Sequence, residues 1–413
     1  MVPTPAAIPA FQWRRFLVVA GPGLVVMLAD TDAGSVITAA QSGAQWGYRL
    51  LLLQAALIPI LYIVQELTVR LGMVTGKGHA QLIQQHFGKV WAWVSVGTLI
   101  LSCLGALLTE LSGLAGVGAL MGVPVPLTLA LVVTALMLMA VTHSYLTVER
   151  IAIAVGAFEL VFLAVAWLAH PSAAEIASGA VSIPIHDPKY LYLASANIGA
   201  VIMPWMVFFQ QSSIVERRLT TRDIGSARLD TALGAVLTQL VMAAALIATA
   251  ATLGRQAGDH TLDTVEEIAA AITPYLGQFA GKLLFGLGMV GASLVATIVV
   301  TLTAARAVAE TLNKPNSLDN KPHEAPWLYG AYAAALILGA VIVSANVNLV
   351  ALSVGVQVMN ALLLPIVVGF LFLLARRLPE PYRLKGVYGA VATALTAITV
   401  VFGVVSGLAG IWS

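Results

Sequence analysis

Charged residues are scarce in this chain of 413 residues: only 10% are Asp, Glu, Lys or Arg, while 59% are hydrophobic. An average soluble domain carries roughly 25% charged residues, so a water-soluble globule is excluded. Cysteine is almost absent too, and the single Cys103 excludes an intramolecular disulfide and a cysteine-based metal site. The 21 basic and 19 acidic residues nearly cancel, which gives no case for a nucleic-acid partner.

Long apolar runs are what the sequence has instead, among them 50–64, 127–141 and 233–251. Each approaches the roughly 20 residues that a helix needs to cross about 30 Å of hydrocarbon. We therefore predict an all-α integral membrane protein. Its eleven predicted spans are 16–42, 47–70, 90–121, 124–141, 151–169, 191–210, 229–253, 279–305, 327–344, 350–375 and 386–410.

The basic residues predict the orientation, because Lys and Arg are retained on the cytoplasmic side of a membrane. With a cytoplasmic amino terminus, only four of the 21 fall outside, namely Arg49, Lys189, Arg255 and Lys282. No small-residue cleavage site follows the first apolar run, so we interpret that run as a retained span and not as a signal peptide. Eleven spans then place the carboxyl terminus on the extracytoplasmic side.

A few acidic side chains lie where hydrocarbon is expected. Asp30 and Asp32 fall in span 1, Glu110 in span 3 and Glu159 in span 5. An ionised side chain inside a membrane is costly, so each is a candidate functional residue. Glu66, near the inner end of span 2, is better interpreted as an interfacial residue paired with Arg70, four residues further on.

Two spans contain residues that interrupt a helix. Span 1 carries two acids, Gly34 and Ser35 at its centre, and span 6 carries Pro204, which lacks a backbone donor. Two interrupted spans, five helices apart, are typical of inverted-repeat transporters with a binding site at the midplane. Exposed carbonyls and the charge of Asp32 favour a cation. The alternatives are that Pro204 is a tolerated kink and that Asp32 forms a structural pair.

Span 10 adds two amides, Gln357 and Asn360, on one face of its helix. They are candidate oxygen donors to the same site. Buried amides also serve as interhelical hydrogen bonds, which remains the alternative, above all for Asn360.

Several motifs together resemble the NRAMP family (natural resistance-associated macrophage proteins) of divalent-metal transporters. The resemblance runs from about residue 16 to residue 375. Its landmarks are GPG at 21–23, an acid eleven residues after the first of those glycines at Asp32, QSGAQWGY at 41–48, QELTVRLGMVTGKG from Gln65, LTVER from Leu146, GAVIMP from Gly199, and Gln357 eight residues before Pro365.

The resemblance implies a LeuT-type inverted repeat of spans 1–5 and 6–10, with broken helices 1 and 6 and a metal between them. Carried over by position, the implied metal ligands are the side chains of Asp32, Ser35, Met203 and Gln357 and the carbonyls of Ala29 and Ala200. The implied domains are a cytoplasmic segment at 1–15, the transporter core at 16–376, and a cytoplasmic loop with span 11 at 377–413.

The span 1 motif departs from the family, since it is Asp-Ala-Gly-Ser at 32–35 where the family has Asp-Pro-Gly-Asn. A short hydroxyl in place of an amide carbonyl leaves room for water. Mg²⁺ dehydrates reluctantly and keeps several waters, whereas Mn²⁺ and Fe²⁺ accept direct and softer ligands. Asp30, where the family commonly has an aromatic residue, adds negative charge. Both changes favour Mg²⁺.

The proton route of the family is also altered. Trp205 stands where the family has a histidine, Gly113 stands where span 3 commonly has a second acid beside Glu110, and span 9 lacks Arg and Lys. Histidine is the side chain best suited to proton exchange near neutral pH, so these changes predict a carrier without proton coupling. They resemble the NRAMP-related magnesium transporters. Met203 argues against that branch, because a thioether favours softer metals.

We therefore predict an inner-membrane carrier that imports Mg²⁺, and with it Mn²⁺, by alternating access. Its expected partners are the transported cation and the lipid bilayer, with no resident cofactor, no obligatory protein partner and no enzymatic activity. Asp30, Glu110, Trp205 and Asn360 are expected to be auxiliary residues. The alternatives are a proton-coupled Mn²⁺/Fe²⁺ symporter and, more distantly, an amino-acid permease of the same fold.

Overall fold

The computed structural model describes residues 22–140, 145–253, 261–272, 277–312, 314–315, 317–318, 320–345 and 348–412. Over these residues all regular secondary structure is helical, which confirms the predicted all-α fold. The predicted segment 1–15, and Gly21 of the GPG motif, lie outside the described residues.

The helices follow the predicted spans in chain order. Spans 1 to 11 correspond to Pro22–Asp30 with Ala33–Trp46, Leu51–Thr75, Lys89–Leu120, Val125–Ala140, Tyr145–Gly156 with Val161–Leu168, Pro188–Val201 with Pro204–Glu216, Ile224–Thr252, Gln278–Thr311, Pro326–Val343, Leu349–Ala375 and Gly386–Ile411.

Nine helical stretches in the described part of the chain are long and apolar enough to cross a membrane. This number is compatible with eleven spans for two reasons. The second half of span 1 continues into span 2 through a 3-10 turn, Gly47–Leu50, so that Ala33–Thr75 forms one stretch. Span 4, Val125–Ala140, is apolar but has only 16 residues in its helix.

Several predicted bounds are wrong by a few residues. The second half of span 1 ends at Trp46 and not at residue 42, and the helix of span 8 extends to Thr311 and not to residue 305. The connecting segments also contain three short helices that lie outside the predicted spans, His79–Phe87, Ala173–Ala180 and Val265–Ile272. Each has too few residues to cross a bilayer, because a helix rises about 1.5 Å per residue.

Both predicted interruptions are present. Span 1 leaves the helical conformation at Thr31 and Asp32, and span 6 does so at Ile202 and Met203. Pro204 becomes the first residue of the second half of span 6, where its missing N–H costs nothing. The interpretation of Pro204 as a mere kink is therefore wrong, because the helix ends and restarts there.

Span 7 is hydrogen-bonded to both halves of span 1. Asp230 accepts from the backbone N–H of Gly23 at 2.9 Å, and Thr238 donates to the carbonyl of Met27 at 2.7 Å. Beyond the break, Thr249 donates to the carbonyl of Ala40 at 2.9 Å. The interrupted helix thus lies along one continuous neighbour.

The predicted pair in span 2 is confirmed and extends further. Glu66 contacts Arg70 at 2.5 Å and also Arg228 of span 7 at 2.7 Å. Arg70 in turn donates to the carbonyl of Tyr382, in the loop between spans 10 and 11. The carboxylate of Glu66 is buried, so the two arginines supply the compensating charge that a buried acid needs.

Candidate metal centre

Asp32 begins the second half of span 1. Its backbone is extended, and its side chain accepts the N–H of Ser35 at 2.6 Å, which makes it the N-cap of Ala33–Trp46. A helix start leaves N–H groups without helical partners and carries a partial positive charge, so a carboxylate is stabilised there. The other carboxylate oxygen of Asp32 has no hydrogen-bond partner within the described residues.

Glu110 of span 3 supports the same helix start from the side. Its carboxylate accepts the N–H of Ala33 at 3.0 Å and a hydrogen bond from the hydroxyl of Thr109 at 3.2 Å. It also lies within electrostatic range of Asp32. Two acids therefore share one helix N-terminus. Glu110 is a hydrogen-bond acceptor for the backbone of this helix, in addition to the auxiliary role predicted for it.

The two predicted carbonyl ligands both face a gap in their helix. Ala200 would normally accept from the residue four positions on, which is Pro204 and has no N–H. The N–H that would close the next turn on Ala29 belongs to Ala33 and donates to Glu110 instead. Each carbonyl is therefore available to another donor or to a cation.

Ser35 joins the two interrupted helices, because its hydroxyl donates to the carbonyl of Ala200 at 3.0 Å. The contact brings three predicted ligands together: Asp32, Ser35 and Ala200. All three are at most 1% exposed. The lone pairs of the Ser35 hydroxyl remain able to accept or to coordinate.

Gln357 of span 10 also lies beside the break of span 1. A methyl group added to Gly34 would lie 2.5 Å from Gln357 Nε2, 3.3 Å from Thr109 Oγ1 and 3.4 Å from Asp32 Oδ1. Only a residue without a side chain allows this close approach. Gly199 of span 6 packs directly against the backbone of span 10, at Gln357 and Ala361.

Asn360 lies one turn beyond Gln357 and does not reach the break itself. Its Nδ2 donates to Gln357 Oε1 at 2.9 Å, and its Oδ1 accepts from the hydroxyl of Ser102 in span 3 at 2.7 Å. Asn360 is therefore an interhelical hydrogen-bonding residue, as the alternative interpretation held, and its partner is a predicted ligand.

Met203 and Trp205 flank Pro204 and contact each other. The indole N–H of Trp205 donates to the sulfur of Met203 at 3.2 Å, and both side chains are buried. Trp205 is one of the largest side chains in the core with essentially no exposure. The thioether is near the break in sequence, but one of its lone pairs is already engaged.

A second acidic pair lies on the other side of the span 1 break. Thr31 donates to Glu159 of span 5, and Asp30 lies within electrostatic range of Glu159 and Asp32. All these side chains are at most 1% exposed, and neither oxygen of Asp30 has a hydrogen-bond partner within the described residues. Asp30 thus lies within electrostatic range of both Asp32 and Glu159, next to the predicted centre.

The predicted ligands are closed to solvent from both sides, since Ala29, Asp32, Ser35, Met203 and Gln357 are 0% exposed. No group of three or more His, Cys, Asp or Glu in the described ranges is arranged to hold a metal. A cation here would therefore depend on one or two carboxylates, carbonyls, a hydroxyl and an amide. Such hard oxygen donors suit Mg²⁺ and Mn²⁺.

Two further polar residues of span 3 belong to the surroundings of this centre. Ser102 reaches it through Asn360, and Thr109 lies beside Gly34 and Glu110. Neither residue stands out in the sequence as part of a site. Their separation of seven residues places both on one face of the helix, and this is the one hint that the sequence offers.

Comparison with protein families gives one match across most of the chain. The model described as "Natural resistance-associated macrophage protein-like" matches residues 23–409. Among curated relatives, the divalent metal cation transporter MntH of Aeromonas hydrophila is 29% identical over 321 residues, which cover 72% of this chain and 75% of that protein. MntH of Chromohalobacter salexigens is 27% identical over 312 residues, covering 71% and 69%.

Solved structures share the fold. The Eremococcus coleocola manganese transporter superposes with a TM-score of 0.78 at 18% identity, covering 99% of this chain and 89% of that one. The nucleobase-cation-symport-1 transporter Mhp1 gives a TM-score of 0.62 at 13% identity, covering 95% and 92%. MhsT, solved with L-phenylalanine, gives 0.60 at 14% identity, covering 94% and 98%. The predicted inverted-repeat architecture is thereby confirmed.

Proposed function

The chain belongs to the natural resistance-associated macrophage protein-like family, and from this premise we propose that it imports divalent metal cations, Mg²⁺ and Mn²⁺, by alternating access without moving protons. The observation that carries the proposal is the group formed by Asp32, Ser35 and the Ala200 carbonyl. It supplies one charge and small oxygen donors at a point where two helices are interrupted.

The short side chain of Ser35 supports Mg²⁺ as a cargo. Its hydroxyl is directed at Ala200 and extends less far than an asparagine amide would. A cation held by Asp32 and the carbonyls would then keep part of its hydration shell, which Mg²⁺ prefers. Gln357 would contribute directly or through water.

The contact between Trp205 and Met203 supports only a minor contribution of the Met203 thioether to metal binding. An indole that donates to the sulfur competes with a metal for the same lone pairs. The sulfur therefore adds less preference for soft metals than a free thioether would. Mn²⁺ remains a cargo, because oxygen ligands serve it as well.

Four features support transport without protons. Trp205 has no titratable group, and the helix of span 9, Pro326–Val343, has no Lys or Arg in its sequence. A side chain at Gly113 would start with its Cβ 2.7 Å from the Cβ of Ala33 and 2.9 Å from Ser293, so a second acid has no space there. Glu110 is occupied with the Ala33 N–H.

The membrane potential is sufficient to drive the proposed import. An inside-negative potential of 100 mV is worth roughly 4.6 kcal/mol for a divalent cation, twice the single-charge value. The proposal includes a bacterial inner membrane, a cytoplasmic amino terminus, an extracytoplasmic carboxyl terminus, and a transport core at 16–376 to which the loop and span 11 at 377–413 are attached.

A proton-coupled Mn²⁺/Fe²⁺ symporter is the second candidate. Met203 favours it, as do relatives named for divalent metal or manganese transport. In that case Glu110, close to Asp32, would carry the proton.

Uptake into proteoliposomes tests the proposal. The full chain would be reconstituted with an inside-negative potassium diffusion potential, an internal pH dye, and external Mg²⁺, Mn²⁺ or Ca²⁺. Saturable uptake of Mg²⁺ and Mn²⁺ without acidification is expected, and vesicles without protein serve as the blank. Mn²⁺ uptake with acidification and no competition by Mg²⁺ would establish the symporter instead.

A further inference from the structure

The amide of Gln357 presents its nitrogen, and not its oxygen, to the break of span 1. Nε2, Thr109 Oγ1 and Asp32 Oδ1 all lie within 3.4 Å of the point that a Cβ on Gly34 would occupy, and Nε2 has no hydrogen-bond partner within the described residues. The oxygen is turned away and accepts from Asn360. An NH₂ group donates and cannot coordinate a cation. In this orientation Gln357 offers a hydrogen-bond donor, and not a metal ligand, to the centre.

A chain of side-chain hydrogen bonds links Gln357 to span 3. Ser102 donates to Asn360 Oδ1 at 2.7 Å, so the NH₂ of Asn360 points to Gln357 and holds its oxygen at 2.9 Å. All three side chains are fully buried. Hydrogen bonds between buried side chains are costly to leave unmade, so the direction of one amide determines the next.

The same three residues allow a second arrangement with equally many hydrogen bonds. If both amides turn over, Gln357 Nε2 donates to Asn360 Oδ1, and Asn360 Nδ2 donates to Ser102. The serine hydroxyl permits this, because it can accept as well as donate. Gln357 Oε1 then faces Asp32. Since the number of internal bonds is unchanged, the charge in the centre decides between the two arrangements.

We propose that Asn360 is a positioning residue and that Ser102, Asn360 and Gln357 form a two-state relay. In the empty carrier the relay directs the NH₂ of Gln357 to the carboxylate of Asp32, and in the loaded carrier it directs the oxygen to the metal. This rests on the proposed function. A carrier that brings no proton back must return Asp32 without a counter-ion, and the N–H of Ser35 alone compensates a buried carboxylate only in part. The amide dipole supplies that compensation.

The relay is tested by comparing two transport modes. Metal-for-metal exchange cycles only the loaded carrier, whereas net uptake requires the empty carrier to return. Asn360→Asp at alkaline pH replaces the amide of Asn360 by a carboxylate, which accepts hydrogen bonds but does not donate them. The NH₂ of Gln357 must then donate to this carboxylate, and the oxygen of Gln357 faces the centre. We expect a lower half-saturation concentration, retained exchange, and net uptake slower than exchange by about tenfold relative to wild type.

Ser95→Ala is the matched control, because Ser95 is a buried serine of the same helix whose hydroxyl has no hydrogen-bond partner within the described residues. It leaves the relay intact, so the ratio of net uptake to exchange should stay within about twofold of wild type. If Asn360→Asp does not fold, Gln357→Glu gives the same test, because it fixes an oxygen toward Asp32. The relay is refuted by a ratio that is unchanged in Asn360→Asp and Gln357→Glu, or by an equal change in Ser95→Ala. Wild-type vesicles that exchange neither Mg²⁺ nor Mn²⁺ would refute the proposed function itself.

Discussion

The hydroxyl of Ser35 donates to the carbonyl of Ala200 at 3.0 Å, and this contact joins the interruption of span 1 to that of span 6. It uses a carbonyl that Pro204 has released from helical bonding. Both halves of the inverted repeat therefore meet through a side chain of two heavy atoms.

Ser35→Asn should change the choice of metal. An amide carbonyl is longer and a better direct ligand, so it replaces water in the coordination shell and disfavours the reluctantly dehydrated Mg²⁺. We expect the ratio of Mg²⁺ to Mn²⁺ uptake to fall by about tenfold, equivalent to ~1.4 kcal/mol. Competition of the two metals in proteoliposomes measures it. With Ser35→Ala as control, a parallel loss of both metals in the two variants would contradict the prediction.

Asp32→Asn separates the charge of Asp32 from its structural part. The amide oxygen can still cap Ser35, so folding should be retained, whereas loss of an N-cap costs about 1 kcal/mol in Asp32→Ala. Saturable uptake should vanish in both variants. Thermal unfolding in detergent should show Asp32→Asn near wild type and Asp32→Ala lower. Substantial uptake by folded Asp32→Asn would remove Asp32 from the centre.

Glu110→Gln distinguishes the two candidate functions. The amide oxygen can keep the hydrogen bond from Ala33, and only the titratable proton is lost. If transport is uncoupled, metal uptake should stay within about threefold of wild type. If Glu110 carries the proton, uptake and acidification should both collapse. Uptake with the internal pH dye decides between them.

Trp205→Phe should increase the preference for soft metals. It removes the indole N–H that donates to Met203 and keeps most of the aromatic volume. We expect the half-saturation concentration for Mn²⁺ to fall by about threefold while that for Mg²⁺ is unchanged, since only the former gains from a thioether. The double variant with Met203→Leu should cancel the gain. A gain that survives the double variant would exclude the sulfur as its cause.

The stability of the segment between spans 2 and 3 should depend on pH through His79. This residue starts the short helix His79–Phe87, is buried, and hydrogen-bonds Gln211 of span 6 at 3.1 Å. Burial lowers the pKa of His79 to about 4, although the hydrogen bond to Gln211 raises it. The unfolded chain then binds a proton that the folded one does not, so this contribution to stability is lost as pH falls from about 6.5 towards 4.

His79→Asn should reduce this dependence, because the amide can still donate to Gln211 but does not titrate. The unfolding temperature would be measured between neutral and mildly acidic pH. His86→Asn, on the exposed side of the same helix, is the control and should leave the slope as in wild type. An equal slope in wild type and His79→Asn would contradict the assignment.

The spans and their interruptions are predictable because their causes are local. Apolar length determines a membrane helix, and Pro204 or the Asp32–Ser35 motif disrupts one wherever it falls. The bounds of the spans are less predictable. The glycine and the polar residues of Gly47–Leu50 would be expected to end a helix, but this segment continues the helical path as a 3-10 turn. Local sequence does not reveal whether a neighbouring helix supports such a turn.

The centre is predictable only in part for the same reason. Asp32 is distinguished by its charge in an apolar run, and Gln357 by its polarity. The partners Ser102 and Thr109 come from span 3, and a serine or threonine in a membrane helix is too common to indicate a role. The contact of Trp205 with Met203 depends on how the chain turns at Pro204, which no periodicity describes.

Span 7 determines how the interrupted helix can move. Asp230 and Thr238 hold the first half of span 1, and Thr249 holds the second, so the break is a gap in hydrogen bonding but not by itself a free joint. A swing of Pro22–Asp30 alone must break two side-chain hydrogen bonds, at about 1 kcal/mol each. Rotation of spans 1 and 7 as one body breaks none of the three. A movement of the first half of span 1 away from span 7 therefore has an energetic cost that a joint movement of spans 1 and 7 does not have, so span 7 holds the two halves of the interrupted helix together.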